Sequence, residues 1–285
     1  MKNIDIFCGI SSLGMPFPRE NRNHIGYYDI VVSKLKEEGY NVSGFNMSRL
    51  DKNHTWDLKN NLIDDRSLAY IKNLQIKSID NLRNVNKLFR LVVPKKYQKS
   101  FKIEKDDFKT TLSTLYINSE NPIFIYNGGV NDFYSFIKSG PVELLSKEVR
   151  SNLPKNIKSL IEECINNVMD NWELLHSLNP NTKIYALSFY YSPLYDKIQR
   201  LIYLQEKTKN KKYVNRFMKA ISLYNLMLRK ASEQYDFVEY VDITFVRKYC
   251  APLDFHPNTK GNKLIADKIL EKIKLQKEKQ ITKKF

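Results

Sequence analysis

Residues 4–14 read IDIFCGISSLG, an apolar run that ends on a glycine with two serines directly behind it. The run is too short for a membrane span and is interrupted by Asp5, so it reads as a buried strand. The glycine and serines then read as the turn that leaves it. The stretch that follows decides the fold class. YYDIVVSKLKEEGY, residues 27–40, has helical spacing and closes on Gly39, a natural helix-terminating glycine. NVSGF, residues 41–45, is a second short strand.

The same rhythm continues down the chain. PIFIYNGG (122–129) is a third strand, entered by a proline and left through two glycines. LPKNIKSLIEECINNVMDNWELLHSLNP (153–180) is a long amphipathic helix stopped by Asn179-Pro180. KIYALSFY (183–190) is a fourth strand, YVNRFMKAISLYNLMLRKASEQY (213–235) a helix and FVEYVDI (237–243) a fifth strand. NTKGNKLIADKILEKIK (258–274) is the last helix, with Asn258 as its N-cap. Strands alternating with helices of this length predict βαβ units and a five-stranded parallel sheet in an α/β domain. Ligands of such sheets bind beyond the carboxyl ends of the strands. Ser11, Asn131 and the Tyr190 region all fall just past strand ends.

Residues 50–120 break the rhythm. A crossover needs only about a dozen residues, and this segment is far longer and rich in Lys, Asn and Asp. It reads as a mostly helical inserted subdomain or cap within a single domain spanning residues 1–285, or as a helical decoration on the sheet edge.

Composition narrows the function classes. The chain has 285 residues, 42% hydrophobic and 27% charged, as in a soluble globular protein. No apolar stretch reaches 18 residues, so no membrane span is expected, and the N-terminus lacks the apolar core of a signal peptide, which predicts a cytoplasmic protein. The net charge of +16 permits an anionic partner. The lysines are scattered, however, and no nucleic-acid recognition motif accompanies them, so nucleic acid is not the expected partner. Cys8, Cys164 and Cys250 are far apart, which predicts neither a disulfide framework nor a zinc site. GISSLG (9–14) lacks the lysine of a phosphate-binding loop and the second glycine of a dinucleotide fingerprint, and no cofactor is expected.

Four short stretches carry chemistry: GISSLG with Ser11, NVSGFN with Gly44, GGVND with Asn131, and DFHPNTKG with Asp254 and His256. Serine acyl transfer needs a hydroxyl, a base for its proton, a group to orient that base and donors for the developing oxyanion. Ser11 can supply the hydroxyl, His256 the base and Asp254 the orienting carboxylate. The N–H groups of Ser11 and Gly44 and the side-chain amide of Asn131 can supply the donors. Each residue also has an ordinary reading. Ser11 fits a helix N-cap, His256 a surface loop, Asp254 a turn before the cap, and Asn131 and Asp132 a turn after two glycines. His24, His54 and His176 have no Asp beside them in sequence, and His176 reads as a packing or surface residue of its helix.

In this order the four stretches resemble the conserved blocks of the SGNH hydrolases, the GDSL esterase/lipase family, which centre on Ser, Gly, Asn and His. Gly129-Val130-Asn131-Asp132 matches the third block, GxND, and Asp254-Phe255-His256-Pro257 the DxHP form of the last. The resemblance spans the chain apart from the insertion. It implies a three-layer α/β/α fold with flavodoxin-like strand order. It also implies an esterase acting on a small-molecule or glycan ester, such as an acetyl or short acyl ester, through a Ser11–His256–Asp254 triad. An acyltransferase using the same triad, or a silent polyanion-binding protein on the same fold, are the rivals. The first block departs from the family, because Ile10 stands where the family has Asp. Ile10 cannot make the hydrogen bond by which that Asp shapes the nucleophile turn. The Gly-x-Ser spacing favours Ser11 over Ser12 as nucleophile.

Overall fold

The computed structural model describes residues 3–9, 25–46, 116–129, 157–190, 212–250 and 256–282. In chain order these form β1 (Asn3–Gly9), α1 (Tyr27–Glu37), β2 (Asn41–Asn46), β3 (Pro122–Tyr126), α2 (Ile157–Leu178), β4 (Lys183–Leu187), α3 (Lys212–Ser232), β5 (Val238–Val241) and α4 (Thr259–Thr282). A short 3₁₀ helix, Thr244–Tyr249, joins β5 to the segment before α4. Almost all of the long stretch between β2 and β3, where the sequence predicts an insertion, lies outside the described residues.

All five strands are parallel and run in the order β2-β1-β3-β4-β5. This is the doubly wound order whose switch point lies between the first and third strands. Each expected strand and helix is present at its expected place in this order.

Strand alternation sorts the core into two unlike layers. Phe7 pairs with Phe124 and Gly9 with Tyr126, so these side-chain positions share one face. There Phe7, Phe124 and Tyr126 build an aromatic layer with Tyr116 and Trp172. The Tyr126 hydroxyl accepts a hydrogen bond from Asn171 of α2 at 3.0 Å. Ile6 and Cys8 pair with Ile123 and Ile125 on the opposite face, where Cys8 meets Tyr27 of α1. Correspondingly, α1 packs against α4 and α2 against α3. Both faces are covered, which is why β3 is buried along its whole length and carries no polar alternation.

The helix ends follow local chemistry. Gly39 has φ +85°, and its N–H bonds Lys36 O at 3.0 Å while Tyr40 N–H bonds Leu35 O at 3.1 Å. These two bonds satisfy carbonyls that the end of α1 would otherwise leave open. Asn258 caps α4, its Oδ1 accepting the Gly261 N–H at 2.9 Å. At the amino end of the sheet Asn179 donates to Tyr116 O and Ser119 O, each at 2.8 Å, and so closes the entry to β4. Among the described residues no helix is long and apolar enough to cross a membrane.

Candidate functional site

The sheet's carboxyl edge at the switch point is assembled from the ends of β1 and β3, the start of α1 and the start of α4. The backbone locks the first two together, because Asn127 N–H donates to Gly9 O at 2.9 Å, one residue past the end of β3. The Asn127 side chain turns to α1 and donates to the Tyr27 hydroxyl at 2.7 Å. The Cys8 thiol also faces that hydroxyl, with sulfur and oxygen 3.7 Å apart. Tyr27 is fully buried, and burial together with the adjacent Cys8 pushes its phenol well above the ordinary value. It stays protonated at any physiological pH and acts as a fixed polar post between the two strands and α1.

The N-terminus of α1 lacks a capping side chain of its own, because its N-cap is Gly26. Two other groups serve it. Asp29 reaches back to the Gly26 N–H at 2.9 Å. Asn262 of α4 supplies the second, its Oδ1 accepting the Tyr27 N–H at 3.2 Å. The amide of Asn262 then donates to Pro257 O at 3.0 Å and to Asn258 O at 3.2 Å. His256 is the residue before Pro257 and is 6% exposed. Cys250 bridges to Pro257, and Asn258 N–H bonds Tyr249 O at 2.7 Å, so the end of the 3₁₀ helix backs the same turn.

On the other side the glycines after β3 are tied to α2 and α3. Tyr224 donates its hydroxyl to Gly128 O at 3.1 Å, and the Cys164 thiol meets Gly129 O at the same distance. Beyond β4, Asn225 of α3 brackets Phe189, accepting its N–H at 2.7 Å and donating to its carbonyl at 2.6 Å. Phe189 and Tyr190 are buried, so these two rings belong to the packed interior. Beyond β5, the Ser188 hydroxyl accepts the Ile243 N–H at 2.8 Å, joining the chains that leave β4 and β5.

The candidate residues fall unequally on this frame. His256 is buried at the turn into α4, beside the start of α1. Ser11, Asp254 and Asn131 lie outside the described residues, as do Ile10 and Ser12. Ser11 is two residues past Gly9, the end of β1, and Asn131 two past Gly129. Gly44 lies within β2, level with Ile6 of β1. At about 3.3 Å per residue this is roughly 10 Å short of Gly9 along the strand direction. Its φ is +132°, and a methyl group there would lie 1.9 Å from Ile6 O. The close approach of β1 is thus a sufficient reason for glycine at this position. His176 lies on α2, stacked on Phe237 with ring centroids 3.9 Å apart. Among the described residues no group of three His, Cys, Asp or Glu side chains is placed to hold a metal ion.

The residues that sequence reasoning missed are Tyr27, Asn127 and Asn262. A signal exists only for Asn262. It falls in line with Ala266, Ile269 and Ile273 on the apolar stripe of α4, where a polar residue needs a buried partner.

No protein-family model matches the sequence, and no curated protein matches it. Solved structures do. The lipase Lip_vut3 from a goat rumen metagenome superposes with a TM-score of 0.50 at 12% identity, covering 95% of this chain and 97% of that one. A carbohydrate esterase family 2 enzyme with a carbohydrate-binding domain, from Corynascus thermopiles (Myceliophthora fergusii), gives 0.49 at 13%, covering 95% of this chain and 65% of that one. A chain described as a GDSL-like lipase, from Parabacteroides merdae, gives 0.47 at 13%, covering 95% and 94%. With its parallel order β2-β1-β3-β4-β5 and its superposition on the rumen lipase over 95% of its length, the chain has the α/β/α fold of that lipase.

Proposed function

We propose that the protein is a serine esterase of the SGNH type. Ser11 Oγ attacks the ester carbonyl while His256 takes the hydroxyl proton, and Asp254 orients the imidazole. The oxyanion accepts hydrogen bonds from the Ser11 N–H and the Asn131 amide. His256 returns the proton to the departing alkoxide, which leaves as the alcohol. Water, deprotonated by His256, then attacks the acyl-enzyme, and the acid leaves as Ser11 recovers its proton. Gly44, level with Ile6, is the least favoured of the sequence-derived oxyanion donors. The substrate class is an ester of a small molecule or a glycan.

The observation that carries this reading is the burial of His256 at the turn into α4, hydrogen-bonded through Asn262 to the start of α1. A solvated loop histidine would have no need of such a frame. The test is labelling with a fluorophosphonate probe and mapping of the modified peptide. Modification at Ser11, lost in His256→Ala, is the expected result. Modification at Ser12 keeps the enzyme and shifts the nucleophile by one residue. A folded protein with no modified serine overturns the reading.

A further inference from the structure

We propose that Asn262 is a positioning residue, which sets His256 against the end of β1, two residues before Ser11. The inference rests on the esterase reading and adds a residue to it. Asn262 is 2% exposed, and its side chain uses both of its ends. Its oxygen takes the Tyr27 N–H, at the point where the chain leaving β1 re-enters helix. Its nitrogen holds the carbonyls of Pro257 and Asn258, the two residues directly behind His256. One amide therefore ties the turn behind His256 to the start of α1 and, through it, to the end of β1, two residues before Ser11. The α1 end of this link is itself fixed. Tyr27 takes the Asn127 amide on its hydroxyl, and Asn127 takes Gly9 O on its backbone N–H. The series Gly9–Asn127–Tyr27–Asn262–Pro257 runs from the end of β1 to the residue beside His256 through four hydrogen bonds. The α4 cap made by Asn258 and the contact of Cys250 with Pro257 hold the turn to α4 and to the 3₁₀ helix. Neither holds it to α1.

Two variants separate the two ends of the amide. Asn262→Ala removes both. Asn262→Asp keeps the acceptor for Tyr27 and turns the donor into a carboxylate facing two carbonyls, so it breaks the tie to the His256 turn alone. Asn179→Ala serves as the comparison, since it removes a buried amide with several backbone partners at the amino end of the sheet. Two readouts are taken on the folded proteins. The first is the rate of carbethoxylation of His256 by diethyl pyrocarbonate, mapped by mass, which needs no active serine. The second is the rate of fluorophosphonate labelling across pH.

Both Asn262 variants are expected to expose His256, raising its modification roughly tenfold, and to slow serine labelling by about 10²-fold, as for an ångström-scale misplacement. Asn179→Ala is expected to change neither. A His256 modification rate that stays at the wild-type value in both Asn262 variants overturns the proposal. So does serine labelling that stays fast while His256 becomes exposed. No serine labelled in the folded wild type overturns the esterase reading and the positioning role with it, whereas a wild type that labels while both Asn262 variants match it overturns the positioning role alone. Should Asn262→Ala fail to fold, Asn262→Asp carries both readouts.

Discussion

Tyr27→Phe removes a single oxygen, one that stands between Cys8 of β1 and Asn127 beyond β3. The buried Asn127 amide loses that acceptor, and a lost buried partner costs about 1–3 kcal/mol. The expected outcome is a lower urea midpoint at unchanged slope. A midpoint equal to wild type would mean that the hydroxyl carries no structural weight. Gly44→Ala acts through repulsion instead. A methyl 1.9 Å from Ile6 O forces β1 and β2 apart, and the loss should reach about 3 kcal/mol or more. At this scale sequence and structure part company in an instructive way. His256 was singled out because the DxHP spacing puts an acid two residues before a base in sequence. Asn262 showed in the sequence only as a polar residue on the apolar stripe of α4, and its partner on α1 lies 235 positions away in sequence. Gly44 was legible as a special glycine, but the partner that demands it is Ile6, which only strand pairing reveals.

Two helix ends test whether local chemistry or packing sets the elements. Gly39 has φ +85° with open space where a side chain would sit. Gly39→Ala should therefore cost only the left-handed backbone penalty, roughly 1–2 kcal/mol. Asn258→Ala removes the α4 cap and should cost about 1 kcal/mol. Chemical denaturation of both variants checks the two values, and a Gly39 effect below a few tenths would show that α1 ends elsewhere in solution. The elements themselves were readable for this reason. Gly39, Asn179-Pro180 and Asn258 are stop and start signals that act within a few residues. Buried β3 announced itself as an unbroken apolar run, and β1 as one broken only by Asp5, because both faces of the sheet are covered. The pairing order was not in those runs, since β1 beside β3 depends on contacts across more than a hundred residues. It came from the resemblance of the motifs. Across the molecule as a whole, the core is rich in phenols that cannot easily ionise. Burial raises the pKa of Tyr27, Tyr28, Tyr116 and Tyr185 above the ordinary value near 10. A folded-state pKa above the unfolded one gives stability that is complete below the unfolded pKa, about 10, and lost as pH rises toward the folded values. Alkaline titration should therefore show the phenolate absorbance of these four tyrosines appearing together with loss of far-ultraviolet circular dichroism. Smooth ionisation of all 18 tyrosines near pH 10 with the helices intact would contradict the burial described here.

The amide of Asn262 also has a place in time. β1 and α1 are synthesised well before α4, the last of the described elements. Until α4 arrives, the first N–H of α1 waits for its acceptor. On the esterase reading proposed above, a growing chain carries Ser11 without its base until the segment before α4 has been made. On that reading the chemistry waits until α1 and α4 meet.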